Sequence, residues 1–206
     1  ASSRNWYISS PVSTTTVPLG STYFGYQEAG DNTDLSVSGA SAYWKPYVAG
    51  SSMTVGKGFI AQPGSTTTLI FAGDLNNGDK TINLTRTTGK TKEGFNLIGN
   101  PYPSYLNWSL VTADPLNANI STTMWFRTKT TGNLYTFSTY NSTGDVSVAN
   151  NATTTISKFI PPMQAFWVRV NNGTVSTNLT FKNTMRAHRD INGNTFKAPR
   201  LDNQQL

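Results

Sequence analysis

The constraint that narrows the fold most is a rhythm of short strand-like runs broken by turn-formers. Ten runs rich in β-branched and aromatic residues recur along the chain: 6–8, 21–27, 57–62, 67–73, 80–86, 94–100, 123–129, 133–140, 164–170 and 177–183. Between them stand turn-forming pairs such as Gly73-Asp74, Asn77-Gly78, Thr88-Gly89, Gly132-Asn133 and Asn172-Gly173. Runs this short and this closely spaced predict an all-β, antiparallel β-sandwich, jelly-roll-like, with very little helix. Charged residues make up only 13% of the chain and aromatics 12%, a balance that favours a packed β body over long helices or disorder. The helical expectation is confined to a turn or two from Pro103, a residue suited to a first helical position, and a weaker stretch near Asp114-Pro115.

The two halves read as rough copies. Aligning Pro11 with Pro101 puts Ile8 on Ile98, and Ser9-Ser10 on Gly99-Asn100. The order proline, tryptophan (Trp44, Trp125), Gly/Gln-x-Phe and Leu-x-Phe then recurs, with 67–73 set against 177–183. The interval from tryptophan to phenylalanine is 15 residues in the first half (Trp44 to Phe59) and 41 in the second (Trp125 to Phe166). The difference contains 133–148, which reads as an inserted hairpin. The expected organisation is one β domain over 1–206, with internal copies at 4–93 and 94–186 and a polar, basic tail at 187–206. Each half has too few strands to cover its own apolar faces, so the two are expected to fold as one body.

Within this frame Gly94 to Trp108 reads GFNLIGNPYPSYLNW, residues 162–168 read PMQAFWV, and Met185-Arg186 follows. Upstream stand Trp6 to Val12 and the Gly56 to Phe59 segment GKGF. These stretches resemble a module of secreted and cell-surface proteins of the Bacteroidetes. Its segments have the form G-W-N-L-(I/V)-G-N-P-Y-P-S-x-(I/L)-(D/N)-W, then P-x-Q-(G/A)-F-(F/W)-V and an Arg-containing end. The present chain departs with Phe95 for the usual Trp and Ala165 for the usual Gly. The resemblance spans about 5 to 190. It implies export, often through the type IX secretion system, and a place in a larger multidomain surface protein. It implies no defined activity. The opening Ala-Ser-Ser-Arg is no signal peptide and the ending LDNQQL is polar, so an excised or processed segment is expected.

Catalytic chemistry finds little material. A glycoside hydrolase needs two placed carboxylates, yet the acids are Glu28, Glu93 and eight Asp, mostly beside Gly, Asn or Pro in turns. His188 is the only histidine, and no G-x-S-x-G elbow or phosphate loop accompanies it. There is no cysteine, which excludes a disulfide framework and thiolate chemistry. No cofactor or metal is expected. Calcium is the one ion for which oxygens are supplied, at 31–34 and 73–79, and neither stretch follows a known loop pattern. No apolar run approaches the roughly 20 residues of a membrane-spanning helix, so no membrane insertion is expected. The net charge is +6, and five of the 16 basic residues, Lys182, Arg186, Arg189, Lys197 and Arg200, crowd the end of the chain, as a solvated tail or an attraction for anionic polymers.

Aromatics are the remaining signal. Trp44, Tyr47, Trp125 and Tyr140 fall near loops or the inserted hairpin and are the weak candidates for a ligand platform, against a plain role in packing. Pro11, Pro101, Pro103, Tyr105 and Trp108 read instead as a structural corner. Tyr102, Tyr105 and Trp108 are spaced i, i+3, i+6, as along one side of a helical turn.

The expected function is that of a non-catalytic, secreted or cell-surface structural and adhesive module. Its partners would be other domains or copies of the same surface protein, engaged in one version through edge strands. A glycan or anionic surface polymer is a further partner class, and nucleic acid is not one. The alternative is a carbohydrate-binding module using exposed aromatics, and the remote alternative a glycoside-active enzyme.

Overall fold

The computed structural model describes residues 5–13, 15–17, 21–30, 43–48, 50–63, 69–132, 134–153 and 155–187. His188, the basic residues Arg189, Lys197 and Arg200, and the oxygen-rich stretch 31–34 lie outside these. In chain order the strands are β1 (Trp6–Ile8), β2 (Ser21–Tyr26), β3 (Trp44–Tyr47), β4 (Phe59–Pro63), β5 (Lys80–Thr85), β6 (Phe95–Gly99) and β7 (Tyr105–Asn107). After helix α1 (Trp108–Ala113) come β8 (Thr123–Lys129), β9 (Tyr135–Asn141), β10 (Val146–Val148), β11 (Phe159–Ile160), β12 (Ala165–Arg169), β13 (Ser176–Phe181) and β14 (Arg186–Ala187). The fold is an all-β sandwich. Among the described residues no helix is long and apolar enough to cross a membrane.

Two sheets form the main layers. The first runs β1-β4-β2-β3 and the second β10-β9-β8-β12-β6, all antiparallel. Taken as first, second, third and last strand of each, both sheets follow the order first, last, second, third, with β10 added at the edge of the second. The register repeats too: Ile8 opposes Phe59, and Ile98 opposes Phe166. Trp44 therefore stands on a third strand and Trp125 on a second strand, so the two tryptophans do not occupy matching places. The strand β9, read from sequence as part of an insertion, fills the place of β3, and only β10 is additional. Pro46 is tolerated in β3 because that strand is an edge, where a missing N–H costs no ladder bond.

The sheets interlock by reciprocal contacts. Ile8 bridges Gln164, and Ile98 bridges Lys57. The N–H of Ser9 donates to the Met163 carbonyl, and that of Gly99 to the Gly56 carbonyl, both at 2.9 Å. Close approach here demands small residues. A Cβ on Gly99 would overlap the Ser9 side chain, and one on Gly58 would sit 2.9 Å from the Ala165 Cβ. The strands β5 and β13 pair in the same two-fold manner, with Asn83 opposite Asn178 and their side chains bonded at 3.3 Å.

Period-two alternation sorts the side chains into three apolar layers. Ile8, Tyr23 and Phe59 pack beneath the first sheet with Val17 and Met53. Tyr7, Tyr26 and Ile60 face Leu97, Ala165 and Trp167 between the sheets. Ile98, Met124, Phe166 and Val168 pack beyond the second sheet against Leu84, Leu106, Trp108, Val111 and Leu179. Both faces of the second sheet are thus buried at β12, which is why that strand is apolar from Ala165 to Val168.

Two local expectations are corrected, and the weaker helical stretch near Asp114-Pro115 is found as a 3-10 turn. The described part of 67–73, residues 69–73, is not strand; the run pairing with β13 is 80–85. No helix starts at Pro103. Residues 105–107 pair with β11 and β14, and the helix begins at Trp108, with the Asn107 side chain accepting the Ser109 N–H as its cap. Asp114-Pro115 opens a 3-10 turn, Pro115–Asn117, capped by the Asp114 carboxylate.

Candidate functional site

Between the two sheets, toward β3 and β9, the aromatic layer opens into a cleft of about 450 Å³. It is lined by Tyr7, Tyr26, Tyr43, Trp44, Lys92, Phe95, Trp125, Phe137 and Trp167. Seven of the eight rings come from the strand face that alternation turns inward: Tyr7 from β1, Tyr26 from β2, Trp44 from β3, Phe95 from β6, Trp125 from β8, Phe137 from β9 and Trp167 from β12, while Tyr43 directly precedes β3.

The rings meet mostly edge to face, the arrangement their quadrupoles favour. Trp167 lies 4.6 Å from Tyr26 and 5.9 Å from Trp44, at 83° and 82°. Phe95 meets Trp125 at 5.1 Å and 68°. Tyr43 stacks on Tyr26 at 5.8 Å. The Arg127 guanidinium lies 5.7 Å from the Tyr7 ring and 3.7 Å from that of Tyr135.

Polar groups in the cleft are few. Burial raises the Tyr7 hydroxyl pKa, against the opposing pull of Arg127 and the nearby Trp167 indole. Burial also raises that of Tyr26, reinforced by Tyr43 and Glu28. The Tyr26 hydroxyl completes no hydrogen bond, although the residue is only 8% exposed, and the buried Trp167 indole N–H lies against the Tyr7 hydroxyl. Lys92 is exposed and is the one charged residue in the lining.

Lys92 sits on the connection between β5 and β6, and Glu28 fastens that connection to the first sheet. The buried Glu28 carboxylate accepts the N–H groups of Thr87 and Gly94, each at 2.8 Å, and the hydroxyls of Thr87 (2.8 Å) and Thr85 (3.1 Å). Burial pushes its pKa up, but these four bonds to the charged form outweigh it and leave the pKa below the ordinary value of 4.5. A depressed carboxylate contributes stability that is present above the unfolded pKa and is lost as pH falls through the folded one. Glu28→Gln is therefore expected to lose about 2 kcal/mol at pH 7. The gap to the parent should narrow as pH drops below about 4. Urea unfolding at pH 7 and pH 3 measures both, and a gap that does not change with pH contradicts the assignment.

Of the four weak ligand candidates, Trp44 and Trp125 line the cleft. Tyr47 and Tyr140 do not join them. Tyr47 lies on the opposite face of β3, edge-on to Phe59 at 5.1 Å, with Lys57 Nζ 3.2 Å from its hydroxyl. Tyr140 is 1% exposed, its hydroxyl 2.8 Å from Ser109 Oγ and donating to Asp145 Oδ1 at 2.7 Å. The sequence reading missed the other aromatics and Lys92. Their signal was period two: each strand aromatic stands an odd number of places from a core residue of its own strand, as Tyr7 does from Ile8 and Trp167 from Phe166.

The corner residues gather elsewhere. Pro11 and Pro101 are buried and share one partner. Asn76 N–H donates to the Pro11 carbonyl at 2.9 Å, and its amide to the Pro101 carbonyl at 2.8 Å. This gives Asn76 a structural place inside the oxygen-rich stretch 73–79. Pro103 and Tyr105 are partly buried, Tyr105 on β7. Trp108 is fully buried, donating its indole N–H to the Thr122 carbonyl at 2.9 Å. The Tyr102 hydroxyl lies 2.9 Å from the carbonyls of Gly78 and Phe181, and burial, reinforced by Asp79, pushes its pKa up to about 12 against Arg186. Arg186 donates to Ser104 Oγ at 2.8 Å and covers the Tyr102 ring at 5.2 Å. Lys182 pairs with Asp114 at 2.6 Å. These two cations of the C-terminal run thus belong to the body.

Among the described residues no three His, Cys, Asp or Glu side chains converge as metal ligands. No curated protein and no solved structure matches the chain. A family model matches residues 4–205, almost the whole length, and is described as a domain of unknown function, DUF8693. The chain accordingly belongs to the DUF8693 family.

Proposed function

We propose that the protein is a non-catalytic, extracellular structural and adhesive module of a larger bacterial surface protein or assembly, with the aromatic cleft as its binding element. The observation that carries this reading is the cleft itself: eight aromatic residues drawn from both sheets around about 450 Å³, a volume typical of small-ligand sites. Among the described residues no carboxylate lines the cleft. Glu28 is held by four hydrogen bonds and Glu93 is paired with Arg86 at 2.9 Å. The secreted or surface setting rests on the resemblance of Gly94–Trp108 and its companion stretches. The reading of 4–93 and 94–186 as copies of one β unit is supported by the common strand order and the reciprocal bridges.

The carbohydrate-binding reading is favoured by one observation, that Trp44 and Trp125 both line the cleft. A glycan array with the intact chain separates the two. Specific binding that falls at least tenfold in Trp44→Ala and Trp125→Ala selects the carbohydrate reading. Specific glycan binding that survives both substitutions places adhesion outside the cleft and removes the proposal made for it.

A further inference from the structure

The polar groups of the lining are the hydroxyls of Tyr7, Tyr26 and Tyr43, the indole N–H groups of Trp44, Trp125 and Trp167, and the Lys92 ammonium. The indoles and the ammonium only donate hydrogen bonds, and the phenols both donate and accept. The Tyr26 hydroxyl is more than nine-tenths buried and completes no hydrogen bond within the protein. Lys92 supplies the one charge in the lining, and it is positive. Eight aromatic rings make up the rest of the wall, and a flat apolar body between them with one anionic group at Lys92 matches that lining.

We infer that the cleft takes a small, flat, apolar molecule ending in a carboxylate, with the body between the aromatic walls and the carboxylate met by Lys92. This deepens the reading of the cleft as the module's binding element and rests on it.

Calorimetry on the intact chain tests it with three probes: 2-naphthylacetate, its neutral amide, and cellopentaose. The expected result is that naphthylacetate binds at least tenfold more tightly than the amide. Lys92→Met, at an exposed position, should abolish that preference while leaving amide binding within twofold. Equal binding of acid and amide, or a preference that survives Lys92→Met, overturns the inference. Binding of cellopentaose alone overturns it while leaving a binding cleft. Binding of none of the three removes both the inference and the cleft's role as a binding element.

Discussion

Gly99→Ala is expected to destabilise the protein by about 3 kcal/mol, the upper end of the range for overpacked sites. The added Cβ would overlap the Ser9 side chain. Ser9 has no room to retreat. Its N–H is bonded to the Met163 carbonyl at 2.9 Å, its hydroxyl donates to the Asn100 carbonyl at 2.8 Å, and it is fully buried. The clash is therefore between two backbones locked in register, not between flexible side-chain ends. The double variant Ser9→Gly/Gly99→Ala moves the missing Cβ to the other strand and should recover about 2 kcal/mol of the loss. Ser9→Gly alone should cost about 1 kcal/mol through the lost hydroxyl bond. Urea denaturation of the three variants gives the cycle. Parent-like stability in Gly99→Ala, or no recovery in the double variant, would show that the sheets do not meet at this point.

Asn100→Leu should cost more, about 4 kcal/mol, since it strands several buried polar groups at once. The Asn100 amide nitrogen faces the carbonyls of Ser104 (2.8 Å), Pro161 (3.0 Å) and Ile160 (3.1 Å). Its oxygen accepts the Tyr102 N–H at 3.0 Å. Those groups belong to two separate segments, 102–104 and 160–161, and the residue is fully buried, so water cannot replace the amide without opening the corner. Asn100→Asp should be no milder, because a carboxylate would then face carbonyl oxygens. Ser10, which aligns with Asn100, bonds only locally to Val12, and Ser10→Ala should cost about 1 kcal/mol. Against a typical total stability of roughly 5–15 kcal/mol, the Asn100 variants should show a large drop in unfolding midpoint and Ser10→Ala a small one. Equal effects would remove the hub role given to Asn100.

The corner was legible as a corner because proline and small polar residues carry backbone meaning wherever they stand. Its helix was misplaced for a physical reason. Pro103 is compatible with a helix start, but the backbone groups of Tyr105–Asn107 bond to β11 and β14, two-residue strands too short to leave a pattern of their own. Tyr102, Tyr105 and Trp108 consequently do not share a helical face. Tyr140 misled in another way: a tyrosine near a turn looks exposed in one dimension, and only the approach of Ser109 and Asp145 buries it.

By itself the sequence determined the class of fold, most of the longer strands and the turns between them, since alternation and turn chemistry act over a few neighbouring residues. It also marked Ser9, Gly99, Gly58 and Ala165 as small. What made that smallness necessary, and what gathered aromatics from seven strands around one cleft with Lys92 at its wall, was decided by the tertiary structure. The β1 and β6 strands meet residues on the approaches to β12 and β4 that lie far along the chain, and no local periodicity records which distant strand a face will meet.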